Sequence, residues 1–251
     1  MMITTLFFDL DGTLLPMDLE TFTRGYLGSL SRAMAKEGYE PHELVKNVMK
    51  GVASMSAHPA GQTNEQAFWQ TLIPVYGQEM IDRSKPAFDE YYRTLFDECK
   101  NSCLAPNPEI PQLIEKARAL GFRLVLATNP LFPKDAIRKR LEWIGLKPED
   151  FELVTTYEDS HYTKPNPEYF KEAARRAGIS PEEVLMIGND LEEDYGAIPA
   201  GMKLFVLEDC LIPSKNRSVD EFDHGHVPEL EAFLEKLAAS QKKDQSASKP
   251  E

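Results

Sequence analysis

Five short apolar runs punctuate the chain: "TTLFFDL" (4–10), "FRLVLAT" (122–128), "FELVTTY" (151–157), "VLMIGND" (184–190) and "KLFVLED" (203–209). Each is of strand length and rich in β-branched or aromatic residues. Near-continuous apolarity, in place of alternation, predicts strands covered on both faces, as in a parallel sheet. Helical segments precede the second run and lie between the last four. "PEIPQLIEKARALG" (108–121), "PKDAIRKRLEWIG" (133–145) and "PEYFKEAARRAG" (167–178) each carry an early proline and a terminal glycine, the usual helix punctuation. This pattern implies βαβ units with right-handed crossovers, an α/β fold with a Rossmann-like open parallel sheet.

Residues 17–105 break the alternation. They read as helices near 18–37, 41–52, 63–77 and 78–103, with a small, polar loop at 51–64. Such an insertion directly after the first strand predicts an α-helical subdomain, leaving a discontinuous α/β core of 1–16 and 106–240. The polar tail 241–251 is expected to be disordered. The 28 Lys+Arg against 41 Asp+Glu give a net charge of -13, which disfavours nucleic acid and anionic membrane as partners. Cys99, Cys103 and Cys210 form no CxxC pair and read as reduced thiols, the first two packing on one helix face. No basic, apolar leader opens the chain and no run approaches a membrane span. A soluble, cytoplasmic protein is expected, its oligomeric state left open.

Ligands of open α/β sheets sit beyond the carboxyl ends of the strands. There the sequence places Asp9 and Asp11, then Thr128 and Asn129, then Asn189, Asp190 and Asp194, with Lys164 before the helix at 167–178. Each alone has a plain reading: an Asp-Gly turn, a helix entry, a solvated lysine, a loop. Four polar sites arriving in order at one sheet edge point instead to a single site. Two carboxylates two residues apart repel unless a cation and a proton separate them.

The sequence resembles the haloacid dehalogenase superfamily over most of the chain outside 17–105. "DLDGT" matches the first motif of that family, "LATN" the second, "KPNPEYF" the third and "GNDLEED" the acidic fourth. In the fourth, Asn189 stands where many members have an acid, so either Asn189 or Asp190 faces the metal. The insertion resembles the cap these proteins carry between their first and second motifs.

The resemblance implies an Mg²⁺-dependent hydrolase of small phosphorylated metabolites. Asp9 would be the nucleophile that forms an aspartyl-phosphate, and Asp11 the general acid/base. Asp9, Asp11 and Asp190 would hold the metal, with Asp194 orienting that shell or Lys164. Thr128 and Asn129 would bind phosphoryl oxygens, and Lys164 would bind phosphate and balance the gathered negative charge. Asp11 argues against a dehalogenase, because a departing halide needs no proton. A phosphomutase, a phosphonate hydrolase using a lysine such as Lys36, Lys46 or Lys50, and a silent binding protein on the same fold stay open. His58, Asn64, Arg24 and Arg93 are candidate substrate contacts, each with a surface or loop role at least as expected. Phe68 and Trp69 are expected in the core.

Overall fold

The computed structural model describes residues 2–58 and 61–247. Its six-stranded sheet is parallel throughout, with strands β1 (Thr5–Phe8), β2 (Arg123–Leu126), β3 (Leu153–Val154), β4 (Val184–Gly188), β5 (Lys203–Leu207) and β6 (Asp223–Gly225). Their spatial order is β3-β2-β1-β4-β5-β6, so the chain reverses direction across the sheet at β1. All five apolar runs become strands, though "FELVTTY" contributes only two paired residues. The sixth, "DHG", carries no apolar signature. It is an edge strand, two of whose three residues are exposed.

Continuous apolarity is explained by cover on both faces. Leu6, Phe8, Leu124, Leu126, Leu185 and Ile187 point to one side. There they meet α5 (Glu109–Ala119), α6 (Lys134–Trp143) and α8 (Val227–Ala247). Phe7, Val125, Met186 and Val206 point to the other, against Tyr169 and Phe170 of α7 (Pro167–Ala177). α7 starts at Asn166, whose side chain accepts the Glu168 N–H, and ends on left-handed Gly178. Between β4 and β5 the expected helix is a single 3-10 turn, Asp194–Ala197. Helix α8 runs on through Ala247, into the tail expected to be disordered; residues 248–251 lie outside those described.

The segment between β1 and α5 contains α1 (Leu19–Met34), α2 (Pro41–Met55), α3 (Asn64–Tyr76) and α4 (Gln78–Thr94), then a 3-10 stretch, Phe96–Ser102. The helix expected over 78–103 therefore breaks at Leu95, and α2 extends into the predicted loop, of which 59–60 lie outside the described residues. Asp18 caps α1 by accepting the Thr21 N–H, and Thr63 with Gln66 forms a capping box on α3. These helices share one continuous apolar cluster with the first face of the sheet. Phe96, for example, stacks on Trp143 of α6.

Asn64 fastens the insertion to the core. It is fully buried. Its amide donates to the carbonyls of Pro130 (3.1 Å) and Tyr162 (3.2 Å), and its oxygen lies 2.9 Å from His58 Nε2. Its backbone N–H donates to Ser160 O. A residue considered for substrate contact is thus a tie between segments. Asn64→Ala should lower unfolding free energy by about 2 kcal/mol, because it strips partners from buried acceptors. Urea denaturation checks this, and a midpoint equal to wild type would remove the tie.

Candidate active site

The four sequence sites meet where the carboxyl ends of β1, β2 and β4 open on a cavity of about 100 Å³. Asp9, Asp11, Thr128, Asn129, Asn189, Asp190, Glu193 and Asp194 line it. Asp9 follows β1 directly, its N–H donating to Ile187 O of β4 (2.9 Å). Asp11 leads into a turn that needs glycine. Gly12 has φ +87, and a Cβ there would stand 2.2 Å from Asn189 Nδ2. Gly188 ends β4 under a similar constraint, since a Cβ would strike the Asp194 carboxylate.

Lys164 is fully buried. Its ammonium donates to Asp9 Oδ1 and to Asp194 Oδ1, 2.7 Å each. The expected phosphate contact differs from this geometry: Lys164 lies behind the carboxylates and is not among the residues of the cavity wall. Two anions at hydrogen-bond distance hold it there, and they raise its pKa well above the ordinary lysine value despite burial. Asp9 also accepts from Thr13 Oγ1 at 3.2 Å. Burial pushes the Asp9 carboxyl up to about 7, with Lys164 opposing and Asp194 and Asp11 adding to the rise. Asp194 Oδ2 accepts the Asp190 N–H.

Both amide atoms of Asn189 are committed. Its oxygen accepts from Thr13 Oγ1 (3.0 Å) and its nitrogen donates to Cys210 O (2.7 Å). Asp190 Oδ1 accepts the N–H groups of Glu192 and Glu193, leaving Oδ2 without a hydrogen bond among the described residues. The Asn129 side chain braces loops, accepting the Lys164 N–H and donating to Glu193 Oε2. Thr128 is buried at the wall, its carbonyl accepting from Thr155 and Tyr169.

Two participants were not singled out from the sequence. Glu193, the middle acid of "LEED", joins the wall, and burial pushes its carboxyl up to about 7. Arg140 of α6, fully buried, pairs with Asp11 Oδ2. Its guanidinium stacks 4.3 Å from the Phe132 ring. It falls between Ile137 and Leu141 on the buried face of α6, and a cation at such a core position is the signal that marks it. Asp11 Oδ1, by contrast, is buried without a hydrogen-bond partner among the described residues. Arg24 pairs with Glu20, and Arg93 with Glu90 and Asp135; neither lines the cavity, nor do Lys36, Lys46 and Lys50.

The donors fit Mg²⁺ chemically: they are hard oxygens in carboxylate-rich surroundings, with Asp190 Oδ2 uncommitted. Among the described residues no three acidic, His or Cys side chains form a ready metal cluster. Mg²⁺ does not require one, since it is commonly held by one or two carboxylates together with water and substrate phosphate.

The family model for haloacid dehalogenase-like hydrolases matches residues 3–201. A glyceraldehyde 3-phosphate phosphatase from Methanopyrus kandleri is 28% identical over 204 residues, covering 80% of this chain and 82% of that one. A pyrophosphatase from Bacillus cereus is 26% identical over 207 residues, 81% and 82% of the two chains. The crystal structure of a HAD phosphatase from Thermococcus onnurineus superposes with a TM-score of 0.55 at 22% identity, covering 92% and 98%. It shares the fold.

An aspartate whose pKa is raised on folding binds its proton more tightly in the folded state. Its contribution is therefore favourable at low pH and is lost as pH rises through the folded pKa. Asp9, at 3.8 unperturbed and about 7 here, should destabilise the metal-free protein progressively between pH 4 and 7. Asp9→Asn should thus melt at a higher temperature than wild type at pH 8 in EDTA, with the gap closing toward pH 4. Equal melting temperatures at pH 8 would contradict the burial argument.

Proposed function

The chain belongs to the haloacid dehalogenase-like hydrolase family, and from that premise we propose that it is an Mg²⁺-dependent phosphatase of small-molecule phosphate monoesters, acting through a phosphoryl group carried on Asp9. The observation that carries the reading is the Asp9 carboxylate, facing the cavity at the end of β1 with Lys164 fixed to one oxygen. Relatives named as a glyceraldehyde 3-phosphate phosphatase and a pyrophosphatase support phosphoryl chemistry.

The residues divide the work. Lys164 and Thr13 orient the Asp9 carboxylate, so that one oxygen attacks phosphorus in line with the leaving group. Asp11 gives the departing alkoxide its proton and later takes one from the water that cleaves the acyl phosphate. Arg140 holds Asp11 Oδ2, so the unpartnered Oδ1 is the oxygen that carries this proton. Thr128 and the Asn129 backbone N–H receive phosphoryl oxygens at the wall. Asp9 and Asp190, with the Asp11 carbonyl, would hold Mg²⁺, which when bound neutralises charge on the carboxylates and the phosphoryl group. Asp194 serves Lys164, and Asn189 shapes the turn beneath Asp9. The phosphonate hydrolase alternative loses support, because none of the three lysines considered for it lines the cavity.

Phosphate release from a panel of small phosphate monoesters should require Mg²⁺, stop in EDTA, and fall at least about 10⁴-fold in Asp9→Asn. Undiminished release by that variant would remove Asp9 as nucleophile. Asp11→Asn should slow aryl phosphates more as the leaving-group pKa rises, by about 10²-fold or more for the poorest. An equal loss across the series would exclude proton donation.

A further inference from the structure

The cavity over Asp9, about 100 Å³, has room for a phosphoryl group but little beyond it. A second cavity of about 190 Å³ adjoins it, and Leu19, Leu131 and Phe132 form walls of both. The second cavity lies among α1, α2, α3 and α4, and no charged side chain lines it. Its polar side chains are few: Thr23, Tyr26, Trp69, Tyr92 and Tyr157. The Tyr26 and Tyr92 hydroxyls bond each other at 2.6 Å. The Trp69 N–H, near the Tyr157 hydroxyl, has no well-formed hydrogen bond among the described residues. At the rim, Leu19 and Met49 are 51% and 45% exposed. They are two of the five large apolar side chains so exposed among the described residues, and both border this one cavity.

An apolar cavity of about 150 Å³ holds a benzene ring, so 190 Å³ accommodates an aromatic ring or a short alkyl chain. A polyhydroxylated leaving group would fit the space but outnumber its few polar groups, and each buried hydroxyl left without a partner costs binding. We propose that this cavity receives the leaving group, and that the substrates are phosphate monoesters of apolar alcohols, aryl or alkyl of about six carbons. The proposal deepens the phosphatase reading and rests on it. It also separates this chain from the relatives, whose names specify a triose phosphate and pyrophosphate.

The test is kcat/KM with Mg²⁺ for methyl, propyl, butyl, hexyl and phenyl phosphate, beside glycerol 1-phosphate. Each added methylene should raise kcat/KM about fourfold up to hexyl. Propyl phosphate should exceed glycerol 1-phosphate, its dihydroxy counterpart, by at least about tenfold. Val52 lines the cavity from α2, and Val52→Phe should lower the hexyl-to-methyl ratio by about tenfold or more. That ratio is insensitive to a loss of folded protein, which reduces both rates alike. A flat alkyl series, or a preference for glycerol 1-phosphate, with release still dependent on Asp9, would overturn the apolar subsite and leave the phosphatase standing. An unchanged ratio in Val52→Phe would overturn it as well. No release from any ester, methyl phosphate included, would remove both.

Discussion

The ammonium of Lys164 lies out of contact with water, 2.7 Å from Asp9 and 2.7 Å from Asp194, and the loops of four strands are tied through it. Asp9 follows β1, Lys164 follows β3, and Asp194 follows β4. Asn129, after β2, accepts the Lys164 N–H. The lysine is the member that cannot be lost: without it two buried carboxylates stand uncompensated, at a cost of about 3–5 kcal/mol. The parallel sheet brings the four strand ends to one edge, while the lysine fixes how far apart their side chains stand. One ammonium does not neutralise Asp9, Asp194, Asp190 and Glu193 together. Burial raises the pKa values of Asp9, Asp190 and Glu193, and the charge of Asp194 adds to the rise in each.

The sheet was legible because its strands are hidden on both faces. Apolar runs such as "TTLFFDL" have no other explanation in a polar chain, and helix punctuation supplied the connections. β6 was not legible, since an edge strand of "DHG" buries too little to leave a hydrophobic trace. The connection from β4 to β5 also departed from expectation. There a single 3-10 turn, Asp194–Ala197, follows the strand and sets the Asp194 carboxylate against Gly188.

At the site, Asp9, Asp11, Thr128, Asn129, Lys164, Asp190 and Asp194 could be picked out by their place after strands, and the structure brings them together. The exception in detail is Lys164, which contacts carboxylates where a phosphate contact was expected. Partners recruited from elsewhere left fainter marks. Arg140 sits mid-helix, 129 residues from Asp11, and only its register with Ile137 and Leu141 betrays a buried cation. Asn64 resembled a loop residue facing a ligand; tertiary contacts with Pro130 and Tyr162 made it a bolt instead.

The continuity of the apolar cluster between the helical insertion and the sheet bears on chimera building. Exchanging residues 17–105 for the equivalent segment of a relative would sever a shared core rather than a linker, taking away Phe22 and Phe96 and leaving Phe132 and Trp143 without the rings they pack against. A transplant would have to carry both halves of each contact. The insertion is therefore open to reshaping by side-chain replacement, and resistant to wholesale module exchange.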